Sequence, residues 1–150
     1  MPVDSTLVGR SFPPTAPYLV GREKIREFAR AVLATSPLHF DPEAARAAGY
    51  ADVVAPPTFA VVVQGQTIDQ ILTADPEAPL ELSRVVHADQ RFSFARPIVA
   101  GDELTVAMTV TGVRSLGGNA IVTSESRVVD AAGSTVSTVV ATLVIGGEGA

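Results

Sequence analysis

Cysteine and tryptophan are absent from this 150-residue chain, and the first absence removes whole classes of protein. Without cysteine there is no disulfide framework, no iron–sulfur cluster, no thiolate zinc site and no cysteine nucleophile. Histidine is nearly missing as well: His39 and His87 are the only two. They stand far apart and form no H-E-x-x-H pair, so no metal site is expected. There is no G-x-S-x-G elbow, and Gly117-Gly118 is not followed by G-K-[ST], which sets aside a serine triad and a phosphate-binding loop. Basic residues are in the minority, 11 against 16 acidic ones with a net charge of −5, and no basic run stands out, so no nucleic-acid partner is expected. Long apolar runs are missing too, because Pro56-Pro57 and later glutamines interrupt the best candidate for a span of about 18 residues. Residues Met1 to Arg10 carry Asp4 and no basic-then-apolar signal region. These absences predict a soluble, cytoplasmic protein with no membrane partner.

What is present suffices for a real core: 47% of the residues are hydrophobic and 18% charged. The length fits one domain over 1–150, with a core from about 18 to 145. Residues 11–17 carry three prolines and must be an extended connection, while Gly146 to Ala150 reads as a frayed tail. Ile25, Phe28, Ala29, Val32 and Leu33 recur at helical spacing and predict a helix over 22–34. A short helix follows, with Asp41 as N-cap, Pro42 in its first turn and Gly49 as its stop. From Ala60 to about Leu72, apolar residues nearly all round predict a helix enclosed by other structure, although periodicity alone also permits a buried strand. Gln64, Gln66, Asp69 and Gln70 predict that its far end meets water or a polar site. Strands are expected over 85–95, 103–113, 120–129 and 134–145, with turns at Gly117-Gly118-Asn119 and Asp130 to Gly133. Helices first and an antiparallel meander later imply an α+β fold.

His39 lies in Pro37-Leu38-His39-Phe40-Asp41, upstream of Ala55-Pro56-Pro57-Thr58-Phe59. Further on come Val86-His87-Ala88-Asp89-Gln90-Arg91-Phe92 and Arg96-Pro97-Ile98-Val99-Ala100-Gly101-Asp102. Together these segments resemble the MaoC-like hydratase/dehydratase family, in its N-terminal dehydratase-domain branch, from about Val20 to Ile145. The resemblance implies a single hot-dog fold: a long central helix wrapped by a curved antiparallel sheet. It implies acyl thioesters of CoA or acyl carrier protein as ligands, no cofactor, and reversible loss of water from a (3R)-hydroxyacyl thioester. That reaction needs a base beside the thioester carbonyl, an acid for the departing hydroxyl, and donors for the carbonyl oxygen.

The chain departs from the active pattern of that family in two places. Active members carry Asp-x-Asn-Pro-x-His, whereas here the aspartate position is Ala34, leaving His39 as a vestigial catalytic candidate. Active members also open the central helix with His-Gly, whose glycine amide serves the oxyanion; here Pro56-Pro57 stand there, and proline has no N–H. The pattern is similar to the non-catalytic subunit of heterodimeric (3R)-hydroxyacyl dehydratases, whose partner supplies the aspartate and histidine. The resemblance then offers Phe59, Val62, Val63 and Gln66, with the segment from Tyr50 to Val54, as lining for an acyl chain; ordinary core is the alternative for the valines. Strand alternation puts His87, Asp89 and Arg91 on one face, and His87, Arg91 and Arg96 are candidates for a phosphopantetheine or carrier-protein contact, with a solvated ion-pair face as the alternative. Rival functions are an independent homodimeric hydratase, a hot-dog thioesterase using Asp69, and a binding module without catalysis. A dimer is expected, with a catalytic MaoC-like chain or with a second copy.

Overall fold

The computed structural model describes residues 3–147. Helix α1 spans Arg22–Ala31 and buries Ile25 and Ala29 of the predicted apolar stripe, whereas Val32 and Leu33, assigned to the same stripe, lie beyond the helix and are exposed. It stops three residues before the expected 34 because Leu33 turns to φ 58°. That turn lets the Leu33 N–H reach Arg30 O at 3.2 Å and the Ala34 N–H reach Ala29 O at 2.8 Å, a Schellman-type closure. Helix α2, Pro42–Ala47, begins as read: the Asp41 carboxylate accepts the Glu43 N–H and Pro42 occupies the first turn. Gly49, with φ 95°, follows it.

The central helical stretch is less regular than its sequence suggests. A 3-10 turn at Pro57–Phe59 leads into α3 (Ala60–Gln64), a second 3-10 turn at Gly65–Thr67, and α4 (Ile68–Leu72). Its backbone stays in the helical region, but the hydrogen bonding tightens in the middle. Gly65 is a weak helix former, the Thr67 hydroxyl donates back to Gln64 O at 2.8 Å, and Gln66 Nε2 donates to Val63 O at 3.4 Å.

Five antiparallel strands curl around this stretch: β1 (Tyr18–Leu19), β2 (Val85–Phe94), β3 (Glu103–Leu116), β4 (Asn119–Val129) and β5 (Thr135–Ile145), in the order β1-β3-β4-β5-β2. The predicted β3–β4 turn forms at Gly117 and Gly118, both at positive φ, as the twist of a two-residue hairpin requires. The proline-bearing segment before β1 is extended and hydrogen-bonds along β3, with Gly9 N–H on Val110 O, Phe12 N–H on Met108 O and Thr15 N–H on Val106 O. The sheet's concave face supplies Leu104 and Val106 from β3 and Val139 from β5, which cluster with helical Phe59 and Val63, and Met108 and Val110 from β3, which cluster with helical Ile71.

Two expectations are corrected. A bulge at Ala88 breaks the alternation of β2: His87 pairs with Leu143 but Asp89 with Thr142. His87 therefore shares the concave face with Gln90 and Phe92, and Asp89 with Arg91 point the other way. At the C-terminal end, Gly146 is not frayed, because its N–H bonds Arg84 O at 2.8 Å. Residues 148–150 of that expected tail lie outside the described residues, as do Met1 and Pro2.

Candidate functional site

Residues 52–56 form a short extended strap that ties two loops together. The Val54 N–H bonds Leu38 O at 2.8 Å on one side, while the Ala55 N–H bonds Ile98 O at 2.8 Å on the other. Asp52 anchors the strap to α1 through a two-pronged ion pair with Arg22, at 2.9 and 2.8 Å. The Arg22 hydrogen bond holds the Asp52 carboxyl down to about 2, against the opposing effect of partial burial. The His39 turn is fixed just as locally. Ser36 Oγ accepts the Leu38 N–H, Arg26 Nε donates to Phe40 O at 3.0 Å, and His39 Nδ1 donates to Val54 O at 2.6 Å. A carbonyl only accepts, so the neutral ring carries its proton on Nδ1 and keeps a lone pair on Nε2.

His39 looks onto a cleft of about 410 Å³, walled by Val54, Ala55, Pro56, Pro57, Phe94 and Ile98 among others. Its lining includes no carboxylate. The Val54 and Ala55 amides are already used by the strap, and Pro56 and Pro57 have none to give. Ala34, half-buried, brings no acid. Arg96 borders the cleft but is held elsewhere, bidentate on Asp102 at 2.9 and 3.0 Å and on Asp130 at 3.2 Å. The Asp102 hydrogen bond raises the Arg96 pKa, while the Ser134 amide, followed by Arg96, lowers that of Asp130. Asp102 also accepts the Val99 N–H at 3.0 Å, so the Arg-Pro-x-x-x-Gly-Asp segment is a self-bracing loop.

Of the residues singled out in the sequence, Val54, Arg96 and His39 meet at this cleft. Phe59 and Val63 are core; Phe59 packs edge-to-face on Phe28 at 5.4 Å. Val62 and Tyr50 are half-buried, Gln66 is exposed, and Arg91 pairs with Asp89 in solvent at 3.3 Å. His87 borders a second cavity of about 120 Å³. There a polar chain forms: His87 Nε2 donates to Gln90 Oε1 at 2.5 Å, and Gln90 Nε2 donates to Gln64 Oε1 at 2.8 Å. Asp69 lines neither space and is exposed. Sequence reasoning missed Phe94 and Ile98 as cleft walls; their signal was proximity to the Arg96-Pro97 loop. Gln64, which reaches the inner cavity, was not among the lining candidates; Gln66, which was, lies on the exposed side of the helix. Among the described residues no group of three or more potential metal ligands occurs, and no helix is long and apolar enough to cross a membrane.

A strap-bound histidine facing an apolar cleft, beneath a helix wrapped by an antiparallel sheet, defines a hot-dog protein of the MaoC-like dehydratase class. The comparisons agree: residues 6–139 match the family "FAS1-like, dehydratase domain region", and the chain belongs to it. A UPF0336 protein of Leifsonia xyli subsp. xyli is 62% identical over 99% of both chains. Among solved structures, a C-terminally truncated HadBC complex, a (3R)-hydroxyacyl-ACP dehydratase from Mycobacterium tuberculosis, matches at 32% identity with a TM-score of 0.80, covering 96% of this chain and 99% of that one. A MaoC-like dehydratase matches at 35% identity and a TM-score of 0.80, over 94% of this chain but only 42% of that longer one.

Proposed function

We propose that this chain is the substrate-binding, non-catalytic subunit of a (3R)-hydroxyacyl-thioester dehydratase or enoyl hydratase of fatty acid metabolism, acting in the cytoplasm beside a catalytic MaoC-like subunit. The observation that carries the reading is the content of the cleft: one free imidazole nitrogen, apolar walls, no carboxylate and no free strap amide. Dehydration needs acid, base and oxyanion donors together. A cleft with His39 Nε2 alone accepts a hydrogen bond, from a ligand hydroxyl for instance, and holds an apolar chain; it does not move two protons. The heteromeric HadBC complex, at 32% identity, supports the assignment of a partner. So does the sheet, whose β2 edge pairs with no strand on its outer side among the described residues, while the β3 edge is covered.

The test is hydration of crotonyl-CoA by the isolated chain and by the chain co-expressed with a candidate MaoC-like partner. The isolated chain is expected to bind enoyl-CoA without turnover, and the complex to turn it over. Parallel assays with the same acyl group on CoA and on acyl carrier protein separate the two thioester sources. Full activity of the isolated chain would overturn the reading, and so would equal activity of the partner alone on every chain length.

A further inference from the structure

The core of the molecule is divided. One apolar cluster, with Phe59, Val63, Val128 and Val139, borders the cleft; the other gathers Ile71, Met108, Val122 and Leu143. Between them the sheet presents small buried residues, Ser124 and Ser126 on β4 and Ala141 on β5. The 120 Å³ cavity lies at one end of this seam, touching Ser124, Ala141, Ile71 and Met108. The cleft lies at the other end.

Strand register gives the separation. On β2, Gln90 borders the inner cavity and Phe94 the cleft, with Phe92 between them on the same face. Their β5 partners are Ala141, Ser137 and Val139 respectively, and Ala141 and Val139 pair onward with Ser124 and Ser126. The two spaces are therefore four residues apart along a strand, about 13 Å at roughly 3.3 Å per residue. The row that separates them is Phe92, Val139 and Ser126. Val139 and Ser126 are fully buried, but Phe92 is half-buried, its ring stacked on Phe94 at 6.1 Å and 18°. The aromatic ring holds no hydrogen bond that its rotation would break. Ser126 Oγ is buried without a partner, so the seam keeps a small residue there although its hydroxyl gains no hydrogen bond.

We infer that the cleft and the inner cavity are two ends of one acyl channel, and that Phe92 is the gate between them that sets chain length. This rests on the reading of the cleft as an acyl-thioester site. A short acyl group stays in the cleft beside His39. A longer one displaces the Phe92 ring, passes Ser126 and ends against Ile71, Met108 and Leu143.

The experiment is calorimetric titration of the full chain with butyryl-, octanoyl- and palmitoyl-CoA, for wild type, Phe92→Ala, Phe92→Leu and Phe92→Ala/Ala141→Leu, each checked for folding by circular dichroism. Phe92→Ala is expected to tighten palmitoyl-CoA by about tenfold, the worth of roughly two more buried methylenes, and to leave butyryl-CoA within about twofold. Phe92→Leu falls between and carries the test if the alanine variant does not fold. Filling the cavity with Ala141→Leu should cancel the gain for palmitoyl-CoA and spare butyryl-CoA. If no acyl-CoA binds the wild type, the cleft reading fails and the gate with it. If all bind and the palmitoyl-to-butyryl ratio is the same in every variant, the gate alone is overturned and the cleft reading stands.

Discussion

Leu33 is a leucine doing a glycine's job: its φ of 58° closes α1 while its side chain stays 85% exposed. The left-handed conformation disfavours a Cβ by roughly 1–2 kcal/mol, and little burial offsets it. Leu33→Gly should therefore stabilise the fold by about 1 kcal/mol in urea unfolding, and a loss of stability would mean that the exposed side chain makes contacts after all. Ser137 is a second such position, fully buried with an unpartnered hydroxyl. Ser137→Ala should be neutral or stabilising by about 1 kcal/mol, read by the same titration. A third prediction concerns the altered constellation. Ala34→Asp alone should give no substantial crotonyl-CoA hydration, since Pro57 still withholds the amide that a developing oxyanion needs, a loss on the order of 100- to 1000-fold. Ala34, Pro57 and His39 were all legible in the sequence as residue types at a spacing. The tautomer of His39 was not, because it is set by a carbonyl on Val54 that only folding brings to 2.6 Å.

Among the elements, the strands were the easiest to read, since Val, Thr and Phe alternate between clear turn signals. The exception is β2, where alternation grouped His87 with Arg91 and the bulge at Ala88 separated them. One extra residue is invisible to a period-two pattern in a strand with few core residues. The central helix was legible as an element but not as a broken one, because its tightening comes from Thr67 and Gln66 side chains competing for backbone carbonyls. Gly65 sits at φ −53° with open space around its Cβ position, so Gly65→Ala should stabilise by about 0.5–1 kcal/mol in a thermal melt. The strap supplies a pH prediction. The folded-state pKa of Asp52, about 2, lies below its unfolded value, so its contribution is fully present above about pH 4 and is lost as pH falls toward 2. Asp52→Asn should lower stability at neutral pH and flatten the acid limb of the stability profile over that window. An unchanged acid limb would show that Arg22 and Asp52, partly solvated as they are, contribute nothing measurable.

At the scale of the whole molecule, the two sheet edges are treated differently. Pro13, Pro14 and Pro17 belong to the arm that covers β3, and proline offers no donor to a further strand. The β2 edge carries no such block, and Val86 there is 63% exposed. We expect a dimer by light scattering at micromolar concentration, weakened by Val86→Lys; a monomeric wild type would remove the argument. In a catalytic complex with a MaoC-like partner, His39→Ala should leave most of the turnover, whereas substitution of the partner's catalytic histidine should abolish it. The sequence made the curled sheet and its helix legible, because the patterning is strong over most of the chain. It did not reveal the divided core: alternation within β4 puts Ser124 and Ser126 on the face of Val122 and Val128, but that they meet Ala141 and Val139 depends on a register that no single strand encodes.

The strand order has a consequence for synthesis. On the ribosome β2 emerges well before β5, yet among the described residues β5 is its only neighbour in the sheet. Residues 85–94 must therefore wait, both edges bare, until residues 135–145 have left the exit tunnel. During that interval β3 and β4 can close their hairpin, but the helical stretch has no complete sheet to lie against. A nascent chain of this kind is exposed where it is most ready to pair, which favours capture by a subunit made at the same moment and the same place. Chains that terminate before Thr135 would keep that bare strand permanently and should collect in the insoluble fraction.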